Sequence, residues 1–230
     1  MNFSTLKQNA NQEFLKHFSF YFILFLPYLI LQSIGGLLSS KTSSDLTNAI
    51  ANGTNGLADV YSRWEINLSY LILFLIAIVS AGISLQVLSI IRHQSDHQHP
   101  FDKSTKIFSS PMLWGLIGTI LLQFIFIILW MFVLIVPGLI KSFSYSQAIY
   151  IYRDAYVSGQ KITPLQAITK SRQMMNGHKG ELFILQLSFI GWFLLMGIAN
   201  SFTIIPILGI FVLPYFQITM VNYYDQLRQL

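Results

Sequence analysis

Long uncharged apolar runs alternate with polar linkers along this chain. The run at residues 18–38 holds 21 residues without one Asp, Glu, Lys or Arg. An α-helix rises about 1.5 Å per residue and the hydrocarbon core of a bilayer is about 30 Å thick, so about 20 such residues cross it once. Residues 66–91, 112–136, 182–202 and 204–223 repeat the pattern, with Glu65 and Arg92 bracketing the second run. Residues 39–65, rich in Ser, Thr, Asn and Gly, read as one long polar loop. The first run lacks the Ala-x-Ala step of a cleaved signal and is longer than a signal core, so it reads as a retained helix.

Hydropathy alone leaves residues 139–157 undecided, because Lys141, Ser142, Ser144, Ser146 and Gln147 interrupt the aromatic and aliphatic positions. The charges decide it. Arg153, Lys161, Lys170, Arg172 and Lys179 follow, and the positive-inside rule places them on the same side as Arg92, Lys103 and Lys106, so the segment has to cross. With Lys7, Lys16 and Arg228 on that side too, only Lys41, Arg63 and Lys141 fall opposite. The expectation is all-α: one membrane domain, residues 1–230, with six transmembrane helices (about 18–38, 66–91, 112–136, 139–157, 182–202 and 204–223) and both termini cytoplasmic. Open strands would leave unpaired backbone groups in hydrocarbon, and the runs lack the alternation of a barrel.

Composition agrees. Only 10% of the residues are charged and 53% are hydrophobic, with a mean hydropathy of +0.57, whereas soluble domains carry roughly 25% charged residues. The chain has no cysteine, which excludes disulfides, thiolate metal sites and cysteine nucleophiles. Its net charge of +5 follows from topology, and no base-reading motif points to nucleic acid.

Residues 163–177 carry the clearest local signal. Thr163 is an N-cap, Pro164 suits the first helical position, Gln166 completes a capping box and Asn176-Gly177 is a stop. Leu165, Ile168 and Met175 fall on one side, which predicts a short amphipathic helix at the cytoplasmic surface. Its basic residues can meet anionic headgroups or a partner, or merely connect two spans. His93, His97 and His99, near Asp96 and Asp102, are the one cluster resembling a metal site; Pro100 interrupts it and no fourth ligand is evident, so no metal or other cofactor is expected.

No ionisable residue lies deep in a predicted span, which argues against a pump built on a buried carboxylate. Gln123, Gln147, Gln186 and Gln217 could line a polar passage or hydrogen-bond between helices. Ala77 with Ala81 and Ser80 with Ser84 give small-residue pairs for close approach, and Pro27, Pro137, Pro206 and Pro214 should kink or end helices. The phosphate-loop, zinc-protease and serine-hydrolase motifs are missing, so no enzyme is expected.

The C-terminal half resembles a known family. Pro137-Gly138-Leu139-Ile140-Lys141, Ser144-Tyr145-Ser146, Ser171-Arg172, Gly177-His178-Lys179, Leu182-Phe183 and Ser188-Phe189-Ile190-Gly191-Trp192, with Leu213-Pro214-Tyr215, are similar to the domain-of-unknown-function 975 family. The likeness covers roughly residues 136–224, and Gly180 stands where the family often has an aromatic. It implies an uncharacterised multi-pass protein of the bacterial plasma membrane and carries no catalytic residue across. The leading expectation is a non-enzymatic accessory or scaffold protein of the cell envelope. Its basic face, Arg153, Lys161, Lys170, Arg172, His178 and Lys179, would meet lipid headgroups or a membrane protein partner. A channel or transporter for a small molecule or lipid is the alternative.

Overall fold

Apolar runs of this length satisfy their backbone internally only as helices, and helices are what the chain forms. A computed structural model describes residues 2–51, 64–202 and 208–230. Among them the elements are α1 Phe3–Lys16, α2 Phe18–Ala51, α3 Trp64–Ile91, α4 Pro100–Thr105 with a 3-10 turn at Lys106–Ser109, α5 Leu113–Val133, α6 Ile135–Tyr145, α7 Ala148–Val157, α8 Pro164–Met174, α9 Lys179–Leu187, α10 Ile190–Phe202 and α11 Gly209–Leu227. Three helical stretches are long and apolar enough to cross a membrane: Phe18–Asn48, Ile66–Ile91 and Leu113–Val133. Lys179–Leu187 with Ile190–Asn200, bent by 43°, makes a fourth if the pair is one span.

Two stretches depart from the sequence reading. Residues 39–51, expected as loop, continue α2. Neither Gly nor Pro breaks them, and their hydroxyls bond back onto the helix, Ser40 to Leu37 O, Thr42 to Leu38 O and Thr47 to Ser43 O. The rest of that loop, residues 52–63, lies outside the described residues, as does Pro206, expected to kink or end a helix. The polar N-terminus, in turn, is the amphipathic α1. Asn2 caps it, accepting from the Ser4 and Thr5 amides, and Leu6, Ala10 and Phe14, spaced four apart, are buried. Leu6 packs with Leu182, Leu185, Phe189, Tyr223 and Leu227.

Residues 139–157 form two helices with a break at Ser146-Gln147. Leu134, in extended conformation, turns the chain, and α6 and α7 then return along α5 in one antiparallel register. A methyl group added at Gly138 would lie 3.0 Å from the Met131 backbone; Gln123 Nε2 donates to Tyr145 O; a methyl group at Gly115 would strike the Tyr152 hydroxyl. The hairpin thus runs from its tip to the start of α5. Pro137 sits in the first turn of α6, while Pro27 and Pro214 are accommodated inside α2 and α11.

The expected capping box is formed: Thr163 Oγ1 accepts from the Gln166 amide and Gln166 Oε1 from the Thr163 amide. Gly177, at φ +85°, takes the left-handed conformation after the helix that suits glycine. α8 is more than a surface connector. It lies against α5, α6 and α7 and buries Ala167, Ile168 and Ser171. Ser171 Oγ donates to Ser144 O (2.9 Å) and accepts from the Gln147 amide (3.2 Å), so it satisfies backbone groups freed by the α6–α7 break. Met175 is buried on this side as expected, but Leu165 is exposed.

α3 and α11 run parallel, with Gln217 Nε2 donating to Ser84 Oγ midway and Arg92 bound to Asp225 at the end. Ala81 and Ser84 are buried, and Gly82 lets Ile107 approach so closely that an added methyl would sit 2.7 Å from it.

Candidate functional site

Near the C-terminal ends of α3, α7 and α11 lie Arg92, directly after Ile91, Arg153 with Asp154, and Asp225 with Arg228, directly after Leu227. Three C-terminal dipole ends meet there, and cations complement the partial negative charge of such ends. Arg92 sits at the centre. Its Nε donates to Asp225 Oδ1 at 2.6 Å and its Nη1 to Asp154 Oδ1 at 2.7 Å. Asp154 also accepts from Arg153 Nη1 (3.0 Å), Tyr224 Oη (2.7 Å) and Arg228 Nη1 (3.4 Å). Arg153 Nη2 reaches back to Ser89 Oγ (2.8 Å) and Gln94 Oε1 (2.7 Å). The Tyr224 ring stacks on Tyr150 with centroids 4.8 Å apart, and the Arg92 guanidinium lies 5.7 Å from the Tyr224 ring centre.

Side-chain exposure is 11% for Arg92, 16% for Asp154 and 8% for Arg153. Burial draws Arg92 toward deprotonation, but its bonds to Asp154 and Asp225 outweigh this and raise its pKa. Arg92 Nη2 is buried with no hydrogen-bond partner among the described residues, a desolvation cost the remaining bonds have to offset. Both Asp154 oxygens are occupied, so the carboxylate is a hub that holds three helix ends in register rather than a free base.

The linker after α3 is fastened on its other side. His97 Nε2 lies 2.8 Å from Glu13 Oε1, and its ring stacks on His17 at 3.6 Å between centroids and 11° between planes. Tyr21 Oη donates to the same Glu13 oxygen at 3.0 Å. Glu13, His17 and His97 therefore each offer a ligand atom within 4.8 Å of the others. Burial and the neighbouring His97 hold the His17 imidazole below its ordinary pKa. Lys103 bonds to Asp96 and keeps that carboxyl below the usual range. The sequence placed His97 with His93 and His99 instead. α3 stops at Ile91, His93 and His99 take positive φ and are exposed, and the His99 ring lies 3.9 Å from Asp102.

The expected basic face divides. Arg153 is turned inward, engaged with Asp154, Ser89 and Gln94. Lys161, Lys170 and Arg172 are exposed. Arg172 borders a cavity of about 240 Å³ with Lys141, Trp130, Phe126 and Tyr145. His178 caps α9, its Nδ1 is 3.0 Å from Glu181 Oε2, and its carbonyl accepts from Tyr223 Oη; Lys179 is half-buried beside it. The four glutamines do not converge. Gln123 bonds to Tyr145 O, Gln147 to Ser146 Oγ (2.8 Å), Gln186 to Met220 Sδ (3.9 Å) and Gln217 to Ser84.

Residues 65–230 match the model of the family described as Protein of unknown function (DUF975), so the likeness extends well beyond residues 136–224, through α3 and the whole charged cluster. No curated protein and no solved structure matches the chain.

Proposed function

Because the chain belongs to this family of proteins of unknown function, we propose a role from its geometry: a non-enzymatic scaffold of the bacterial plasma membrane, crossing it six times with both termini cytoplasmic. Its exposed cytoplasmic cations meet anionic lipid headgroups and a membrane protein partner. The observation that carries the reading is the meeting of α3, α7 and α11 at Arg92, Asp154 and Asp225. In a six-crossing chain that starts inside, the second, fourth and sixth spans all run inward. Their C-terminal ends then share one face, and the meeting of α3, α7 and α11 at this cluster fits that arrangement. The full-length return of α6 and α7 along α5 supports counting that broken pair as the fourth crossing.

The scaffold role draws support from how the polar groups are used. The buried charges bind one another and the glutamines bond pairwise at separate places, which holds helices together. Lys161 and Lys170 are left pointing outward, each worth about 1 kcal/mol beside an anionic surface, whereas Arg172 shares a cavity with Lys141. Crosslinking and pull-down from native membranes tests this, with a Lys161→Gln, Lys170→Gln variant as control. One specific membrane protein recovered with the parent and lost with the variant is the expected result. Solute or ion flux through reconstituted vesicles, with no partner recovered, would replace the scaffold with a transporter.

A further inference from the structure

We propose that Glu13, His17 and His97 form a binding site for a divalent first-row metal ion, zinc foremost, that staples the α1–α2 corner to the linker following α3. The three come from two separate parts of the chain, Glu13 and His17 flanking the end of α1 and His97 lying 84 residues from Glu13. Two imidazoles and a carboxylate are borderline donors of the kind that zinc takes, with a fourth position left to water. Donors about 2.1 Å from zinc in a tetrahedron stand about 3.4 Å apart. Here the ligand atoms lie within 4.8 Å of one another, so a modest splaying of the stacked His17 and His97 rings about their side-chain bonds closes the site.

The surroundings are those of a ligand set. Metal-bound carboxylates are oriented by hydrogen bonds from outside the ligand shell, and Tyr21, whose side chain is fully buried, supplies one to Glu13 Oε1. Phe20 and Tyr21 meet the His97 ring edge-on, with centroids 5.1 and 6.2 Å away, and fix its position. Asp96 and Lys103 are bound to each other, so the nearby carboxylate does not compete for the ion. Binding would tie the corner of α1 and α2 to the same linker that Arg153 holds through Gln94.

The test uses the full chain in detergent micelles, stripped with chelator and then titrated with zinc chloride. Calorimetry, metal content after gel filtration, and the visible absorption of a cobalt-substituted sample are the readouts. One zinc per chain is expected, with a four-coordinate cobalt spectrum. His17→Gln and His97→Gln should abolish retention, and Tyr21→Phe should weaken affinity by about 10–100-fold. The double variant His93→Gln, His99→Gln should bind like the parent. The His17 side chain makes a ring contact but none of the described side-chain hydrogen bonds, so His17→Gln tests the site even if His97→Gln fails to fold. Absence of stoichiometric zinc in the parent, or zinc kept by His17→Gln and lost by the His93, His99 variant, would overturn the site.

Discussion

The two ends of this bundle are built on opposite rules. At one end, Arg92, Arg153, Asp154 and Asp225 are drawn inward and bonded to each other. At the other, the tip of the α5–α6 hairpin turns large apolar side chains outward, with Phe132 85% exposed and Val133, Leu134, Ile135 and Val136 also exposed. A protein in water arranges these classes the other way round. The contrast shows what each solvent contributes. Where lipid or a partner covers the outside, apolar burial between helices adds little, and specificity has to come from close packing and polar bonds. Where helix ends reach the polar face, ion pairs fix which ends meet.

Changes at the charged end should therefore cost most. Replacing Arg92 with Gln strands Asp154 and Asp225 partly buried, and breaking a buried pair in this way costs about 3–5 kcal/mol. Denaturation in mixed micelles should show that loss, and an Arg92→Gln protein as stable as the parent would mean that the cluster does not hold the helices. Further along the hairpin, Gly138→Val should cost about 1–3 kcal/mol, because its added methyl groups meet the Met131 backbone, which cannot swing away as a side chain can.

Smaller effects belong to single caps and free surfaces. Thr163→Ala removes one half of the capping box of α8 and should lower stability by about 1 kcal/mol. Phe132→Ser, at the tip, should leave the detergent-solubilised protein within about 0.5 kcal/mol of the parent, since the side chain is exposed. A large loss on Phe132→Ser would erase the distinction between the two ends.

How much of this was legible depended on range. The capping box at Thr163 and Gln166, and the stop at Gly177, were readable because their partners lie within a turn of one another. The span 66–91 was readable because its apolar run has charges at both edges. α1 escaped notice although Leu6, Ala10 and Phe14 recur at helical spacing, since its polar residues masked a narrow stripe. Residues 39–51 were misread because Ser and Thr look like loop residues until their hydroxyls find the preceding turn. Of the charged cluster, the sequence shows the charge of Arg153 but not its role, because Arg92 meets Asp154 across 62 positions and Asp225 across 133. His97 was noticed too, yet its true neighbours, Glu13 and His17, lie before the first span.

The absence of cysteine makes the topology directly measurable, because any introduced thiol is unique. Single variants Lys103→Cys, Lys170→Cys and Lys41→Cys can be exposed in intact cells to a membrane-impermeant maleimide, with lysed cells as reference. If α3, α7 and α11 share a cytoplasmic end, Lys41→Cys labels in intact cells, while Lys103→Cys and Lys170→Cys label only after lysis. Labelling of the Lys103 and Lys170 positions from opposite sides would contradict the common end on which the six-crossing arrangement rests.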